Sequence, residues 1–157
     1  MKTRILIAAA AAAVLGTACG VKADGPPHIE VDRTLCAHCG MLISEPIYAA
    51  AYRTPRSESL AFDDIGCLLK AAAQEPRADA LRFWFHDAAT AVWIDGTDAM
   101  FVSSTTLRTP MGGGLVAFRD PAAAREAAAR QQGRVLTSLE QLLATGSTLS
   151  TSKEGGS

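Results

Sequence analysis

The sequence predicts an α+β domain made of two related ββαβ units packed into one compact body. Three observations lead there. A short strand, an aspartate cap and a helix follow one another at Phe62–Asp64 and again at Phe118–Asp120. Each helix is followed by a further β-rich run, Leu81-Arg82-Phe83-Trp84-Phe85 in the first unit and Arg134-Val135-Leu136 in the second. Neither unit alone has enough apolar residues for a stable core, so the two must share one.

The first unit covers about residues 47–86. Tyr48–Arg53 reads as a strand, the Thr54-Pro55 pair as a turn, and Leu60-Ala61-Phe62 as a second strand. Asp64 is a helix cap, after which Ile65, Leu68, Leu69 and Ala72 repeat at helical spacing until Pro76 stops the pattern. In the strand that follows, Leu81, Phe83 and Phe85 share one face. The second unit covers about 99–136. Ala99–Ser103 and Leu115–Phe118 are its strands, and Asp120 caps a helix that begins with Pro121, runs through 122–132 and stops at Gly133. Between the units, Val92-Trp93-Ile94 is apolar and Asp95-Gly96 is a turn signal. A last short helix is expected over Leu139–Ala144, started by a capping box of Thr137 and Glu140.

At 157 residues and 48% hydrophobic, the chain is one domain long and too apolar to be disordered. A formal net charge of −1 argues against the basic surface that non-specific nucleic-acid binding needs, and it gives no support to a polybasic membrane patch. Aromatic residues are only 6%, so the core must be largely Ala, Leu, Val and Ile around a few rings.

The N-terminus is an address. Lys2 and Arg4 precede an apolar run of 11 residues, Ile5–Leu15, which is too short for a bilayer span of about 20 residues but suits a secretory signal. Gly16, Thr17 and Ala18 lead to Cys19, the arrangement of a bacterial lipoprotein signal. Residues 1–18 would be removed, and Cys19 would carry lipid. Ordinary secretion with cleavage after Ala18 or Ala23 is the alternative, and both readings put the protein outside the cytoplasm. Gly20 after the cysteine gives no inner-membrane retention signal, so the outer membrane is the expected site of a lipid anchor facing the periplasm. Residues 19–28 then form a flexible tether, 29–145 the folded domain, and 146–157, rich in Ser, Thr and Gly, a disordered tail.

The residues with chemistry in them begin at Cys36-Ala37-His38-Cys39-Gly40-Met41. A Cys-x-x-Cys brings two sulfurs to one side of a tight turn. If the chain is extended through Gly40, Cys39 and Met41 also point the same way. Several readings fit. A structural zinc site would need two more ligands, drawn from Cys67, His28 or His38. A thiol–disulfide reductase would need the motif at a helix N-terminus, and no helical pattern follows it. A structural disulfide across so small a loop stabilises little. A soft-metal site is favoured by Met41, because thioethers suit Cu(I) and not zinc. Met111 adds a second thioether. It lies in Thr109-Pro110-Met111-Gly112-Gly113-Gly114, where Pro and Gly residues fit an exposed shaped loop better than a core, whereas Met100 reads as strand filler. His38 is either a ligand or a solvated loop residue. His28 and His86 read as ordinary structural side chains, the Cys67 thiol reads as a buried free thiol with a metal-facing role as its alternative, and one of Asp63 and Asp64 is needed as the helix cap.

Taken in order after a lipoprotein-like signal, Cys36-x-x-Cys39-Gly40-Met41, Phe62-Asp-Asp-Ile-Gly-Cys67 and Thr109-Pro-Met111-Gly-Gly-Gly-Leu-Val-Ala-Phe118 resemble the NosL family of copper-binding lipoproteins linked to maturation of nitrous oxide reductase. The resemblance implies a duplicated ββαβ fold. It also implies Cu(I) bound by a cysteine of the Cys-Gly-Met motif with help from methionine sulfur, a histidine being an optional further donor. Cys39, Met41 and Met111 match those positions; Cys36 and His38 are the neighbouring candidates. The expected protein is therefore a non-enzymatic, monomeric, membrane-anchored Cu(I) chaperone whose partner is the nitrous oxide reductase assembly machinery. The rivals are an extracytoplasmic reductase using Cys36 and Cys39, and a zinc-stabilised interaction module.

Overall fold

The computed structural model describes residues 25–151, with side chains as far as residue 146. The signal peptide expected at 1–18, the lipidation expected at Cys19, residues 19–24 of the tether and 152–157 of the tail lie outside the described residues.

Among the described residues, seven strands form two antiparallel sheets. The first contains β1 (Ala50–Arg53), β2 (Ser59–Phe62), β3 (Arg82–His86) and β4 (Trp93–Asp95) in the order β2-β1-β3-β4. The second contains β5 (Met100–Ser103), β6 (Leu115–Phe118) and β7 (Arg134–Leu136) in the order β6-β5-β7. In both, the first strand of the unit is central, flanked by its hairpin partner and by the strand that follows the helix. The duplication expected from the sequence is thus a duplication of topology. The apolar run before Asp95-Gly96 is the one addition: it pairs with β3 as an edge strand, Phe85 facing Ile94.

The helices are α1 (Ile65–Ala72), α2 (Pro121–Arg130) and α3 (Leu139–Thr151). Asp64 caps α1 and Asp120 caps α2, as their positions before apolar-striped runs require. Ile65, Leu68, Leu69 and Ala72 are all buried. Three local expectations are corrected. The residue that turns the chain after α2 is Gln132, at φ +48°, and not Gly133. The Gly133 N–H then reaches back to the Ala128 carbonyl at 2.8 Å, and the missing side chain at 133 admits the Ser103 carbonyl. The cap of α3 is shifted by one residue: Ser138 Oγ accepts from Gln141 N–H, and the Gln141 side chain accepts from Thr137 N–H. Finally, α3 continues to Thr151 where a disordered tail was expected from residue 146. Gly146 lacks the bulk that would strike Leu69, so the helix can seat against α1 there.

Alternation along the strands builds the core. Tyr52, Phe62, Phe83 and Phe85 of the first sheet meet Phe101, Leu115, Ala117 and Leu136 of the second, with Leu68 and Leu69 of α1 and Leu142 of α3 closing the cluster. Phe85 and Phe101 meet edge to face at 4.8 Å, one ring from each unit. The opposite face of the second sheet, Val102, Val116 and Phe118, is covered by Ala124, Ala127 and Ala128 of α2. The opposite face of the first sheet carries Ala49 and Ala61, packed under Ile29 and Ile43 of the N-terminal segment.

At the end of β3, His86 is buried and stacked on Trp93 with ring centroids 3.8 Å apart. Among the described residues its Nδ1 is buried without a hydrogen-bond partner. Burial pushes the imidazole below its ordinary value of 6.5, against an opposing pull from the Pro46 and Ala49 backbone. The folded protein keeps His86 neutral while the unfolded chain takes up a proton, so this contribution to stability is complete above the ordinary value and is lost as pH falls below it. His86→Phe is expected to flatten the loss of stability between about pH 7 and about pH 5, read from denaturant midpoints; parallel curves for the two proteins would refute this.

Candidate metal centre

The first contributor is the loop that carries Cys36 and Cys39. Leu35 and Leu42 form an isolated antiparallel bridge, Cys36 N–H donates to the Met41 carbonyl at 2.7 Å, and Gly40 N–H returns to the Cys36 carbonyl at 3.0 Å. Gly40 closes this turn at φ +74°, a conformation that favours glycine. The turn is fastened to β2 by Ala37 N–H donating to the Ala61 carbonyl at 2.9 Å. The chain leaves β2 at Phe62 and enters α1 through Asp63 and Asp64. Asp64 has extended backbone dihedrals, so its side chain and that of Asp63 leave on opposite sides.

The result is a cluster of Cys36, Cys39, Asp63 and Cys67, whose ligand atoms all lie within 4.8 Å of one another. Cys36, Asp63 and Cys67 are buried and Cys39 is half-buried. The Cys39 thiol donates to Asp63, with Sγ 3.7 Å from Oδ1 and 3.9 Å from Oδ2. All three cysteines are free. Burial pushes the Cys36 thiol up from its ordinary value; Asp63 adds to the rise, and nearby backbone groups of Cys39, Asp63 and His38 oppose it. The Cys67 thiol is also pushed up, first by burial and then by the charges of Cys36, Asp63 and Cys39. At neutral pH both thiols therefore hold their protons until a cation supplies compensating charge.

The cluster brings together Cys36 and Cys39 of the residues expected from the sequence. His38 is exposed within the turn and stands outside this group of donors. Met41 is 56% exposed. The extended chain on which a shared face of Met41 and Cys39 depends is not found, because Gly40 turns at φ +74°. Met111 is 39% exposed, on a loop whose Met111 and Gly113 amides donate to Asp64 at the start of α1. His28 lies elsewhere, lining a cavity of about 340 Å³ together with His86 and Trp93.

Asp63 is not among the metal donors expected from the sequence, and Cys67 enters there only as an alternative to a buried free thiol. The signal was present. With Asp64 assigned as the cap, Asp63 must face away from the cap site, and Cys67 must fall in the first helical turn. Both features point to the helix N-terminus, where the helix dipole favours anionic groups.

No curated protein matches the chain. Among solved structures, one described as the copper chaperone NosL from Shewanella denitrificans is similar with a TM-score of 0.62 and 16% identity, covering 72% of this chain and 92% of that one. At this identity the likeness is one of fold. The sequence itself matches the NosL family over residues 28–142, a stretch that contains both sheets, the thiol cluster and the Met111 loop. With most of its length matched, the chain belongs to the NosL family.

Proposed function

We propose that the protein is a periplasmic, lipid-anchored Cu(I) chaperone that gathers its cargo at the Cys36–Cys39–Cys67 cluster and passes it on for assembly of the nitrous oxide reductase copper centre. The observation that carries this reading is the convergence of three thiols and a carboxylate within 4.8 Å in a member of the NosL family. Thiolates and thioethers are soft donors and suit Cu(I). Charge limits how many thiols ionise together. A monovalent ion offsets only one negative charge, and Asp63 already stands in the cluster, so three thiolates together would leave a large uncompensated charge and at least one sulfur keeps its proton. Such a site leaves room for a partner's sulfur to enter by ligand exchange. Met41 and Met111, both exposed, are proposed as thioethers that meet the ion on its way in or out, and His38, also exposed, as a further donor to it. The protein acts as a monomer, and no turnover is required of it. Anchoring through Cys19 would keep it at the membrane; among the described residues no helix is long and apolar enough to cross one.

A zinc-stabilised module is the second reading. It is favoured by the same cluster, since three cysteines and a carboxylate make a four-donor set of the kind zinc takes. A reductase is disfavoured, because a buried Cys36 with a raised pKa beside a carboxylate is the reverse of the electropositive setting of a reactive thiolate.

Metal loading of the reduced protein separates these readings. About one equivalent of Cu(I) retained against a competing chelator, with a weaker hold in Met111→Ala that melts like wild type, is the expected result. A melting transition raised strongly by zinc and indifferent to both methionines would favour the module. Insulin reduction that survives Met41→Ala and Met111→Ala would favour the reductase.

Oxidation gives a further prediction. Any two of the three clustered thiols can bridge, and a disulfide supplies no thiolate. Mild oxidant is expected to abolish Cu(I) uptake and a dithiol to restore it; full uptake by protein in which two of the three clustered thiols are bridged would contradict the proposal.

A further inference from the structure

Asp64 does more than an N-cap requires. Capping needs one side-chain oxygen, and Oδ1 serves there by accepting from Gly66 N–H at 2.5 Å. Oδ2 is committed to a segment far along the chain: it accepts from the Thr109 hydroxyl, from Met111 N–H at 3.1 Å and from Gly113 N–H at 3.4 Å. Thr109 Oγ1 in turn accepts from Gly114 N–H at 3.2 Å, which directs its own proton at Asp64. The carboxylate is fully buried, and a buried carboxylate without donors is costly. Here four donors surround it, three of them from one loop.

The glycines of that loop fit this contact. A Cβ at Gly113 would lie 2.3 Å from Asp64 Oδ1, and one at Gly66 would lie 2.9 Å from the same oxygen and 3.2 Å from the Gly113 Cα. The loop and the first turn of α1 therefore touch backbone to backbone across the carboxylate. The neighbouring aspartates divide the work: Asp63 faces the thiols and Asp64 faces the Met111 loop.

We propose that Asp64 is a positioning residue that locks the Met111 loop to the first turn of α1, so that the thioether at 111 and the thiol of Cys67 are held in one rigid frame. A free loop with a proline and three glycines would have to be ordered each time metal was captured, and preorganisation removes that cost. The proposal rests on the reading of Met111 as a donor in metal exchange.

The test uses reduced protein and two readouts, one without metal. In Thr109→Val, which removes one donor to Oδ2, amide exchange at Met111 and Gly113 is expected to quicken about tenfold, and Thr109→Ser should restore protection. Gly113→Ala should act likewise by steric exclusion, and Asp64→Asn more strongly. With Cu(I) as the probe, Thr109→Val should lose affinity in the same direction as Met111→Ala, and the double variant should be no weaker than Met111→Ala alone. Native protection of the loop amides in both Thr109→Val and Gly113→Ala would overturn the clamp. Losses that multiply in the double variant would overturn the route through Met111. Quickened exchange together with a Cu(I) affinity that Met111→Ala leaves unchanged would refute the thioether reading and with it the positioning role, whereas absence of Cu(I) binding by wild type would refute the chaperone reading itself and leave the exchange result to judge the clamp. Should Asp64→Asn fail to fold, the Thr109 and Gly113 variants decide.

Discussion

Cys67→Ser is expected to weaken Cu(I) binding by on the order of 100-fold or more, since even partners outside the ligand shell commonly cost 10–100-fold. Cys67 is the target because the sequence offers it only as one option among several, whereas in the fold it is central. Its thiol is buried within 4.8 Å of the Cys36, Cys39 and Asp63 donor atoms. A hydroxyl is close in size and can hydrogen-bond to Asp63, so the reduced, metal-free protein should retain its fold and most of its stability. It removes a soft donor and leaves a poor one. The measurement is competition for Cu(I) against a chelator of known affinity, on wild type and variant under the same reductant. Unchanged affinity would mean that the ion is held by the Cys36–Met41 loop without help from α1.

The largest effect on stability is expected from Phe85→Ala, a loss of about 3–5 kcal/mol. Phe85 is fully buried on a central strand of the first sheet. It meets Phe101 of the second sheet at 4.8 Å edge to face and stacks with Phe83 at 6.5 Å. Its removal opens a cavity where the two units join. Because one cluster runs through both sheets, α1 and α3, the protein should still unfold in a single transition with a lower denaturant midpoint. Two separated transitions, or a loss under about 1 kcal/mol, would show that the units are stable on their own and that the shared core is unimportant.

Local patterns made much of the fold readable. Two aspartates, each before a helix with a buried face, announced α1 and α2, and alternation in Leu81–Phe85 announced a strand with one core face. The repeat followed from finding the same junction twice. What local pattern could not supply was decided by distant contacts. Trp93–Asp95 reads as an apolar scrap until β3 offers it an edge. Residues from Gly146 on read as a disordered tail, but α3 runs on to Thr151, with Gly146 close against Leu69. The centre divided in the same way. Cys36 and Cys39 were legible because the motif is local and the turn is closed by Gly40. Asp63 was not, and Cys67 only as one option among several, because the contact joining them to that turn runs through Ala37 and Ala61, a tertiary bond between the loop and β2. Alternation from Cys39 to Met41 needs an extended chain at Gly40, and Gly40 turns the chain there instead.

The account depends on sulfur from α1 and sulfur from the Cys36–Cys39 turn meeting on one monovalent ion. X-ray absorption at the copper edge of reduced protein loaded with one equivalent of Cu(I) tests this most directly. The account predicts a sulfur-dominated shell that loses a sulfur neighbour in Cys67→Ser. A shell dominated by nitrogen or oxygen, or a spectrum identical in wild type and Cys67→Ser, would contradict it.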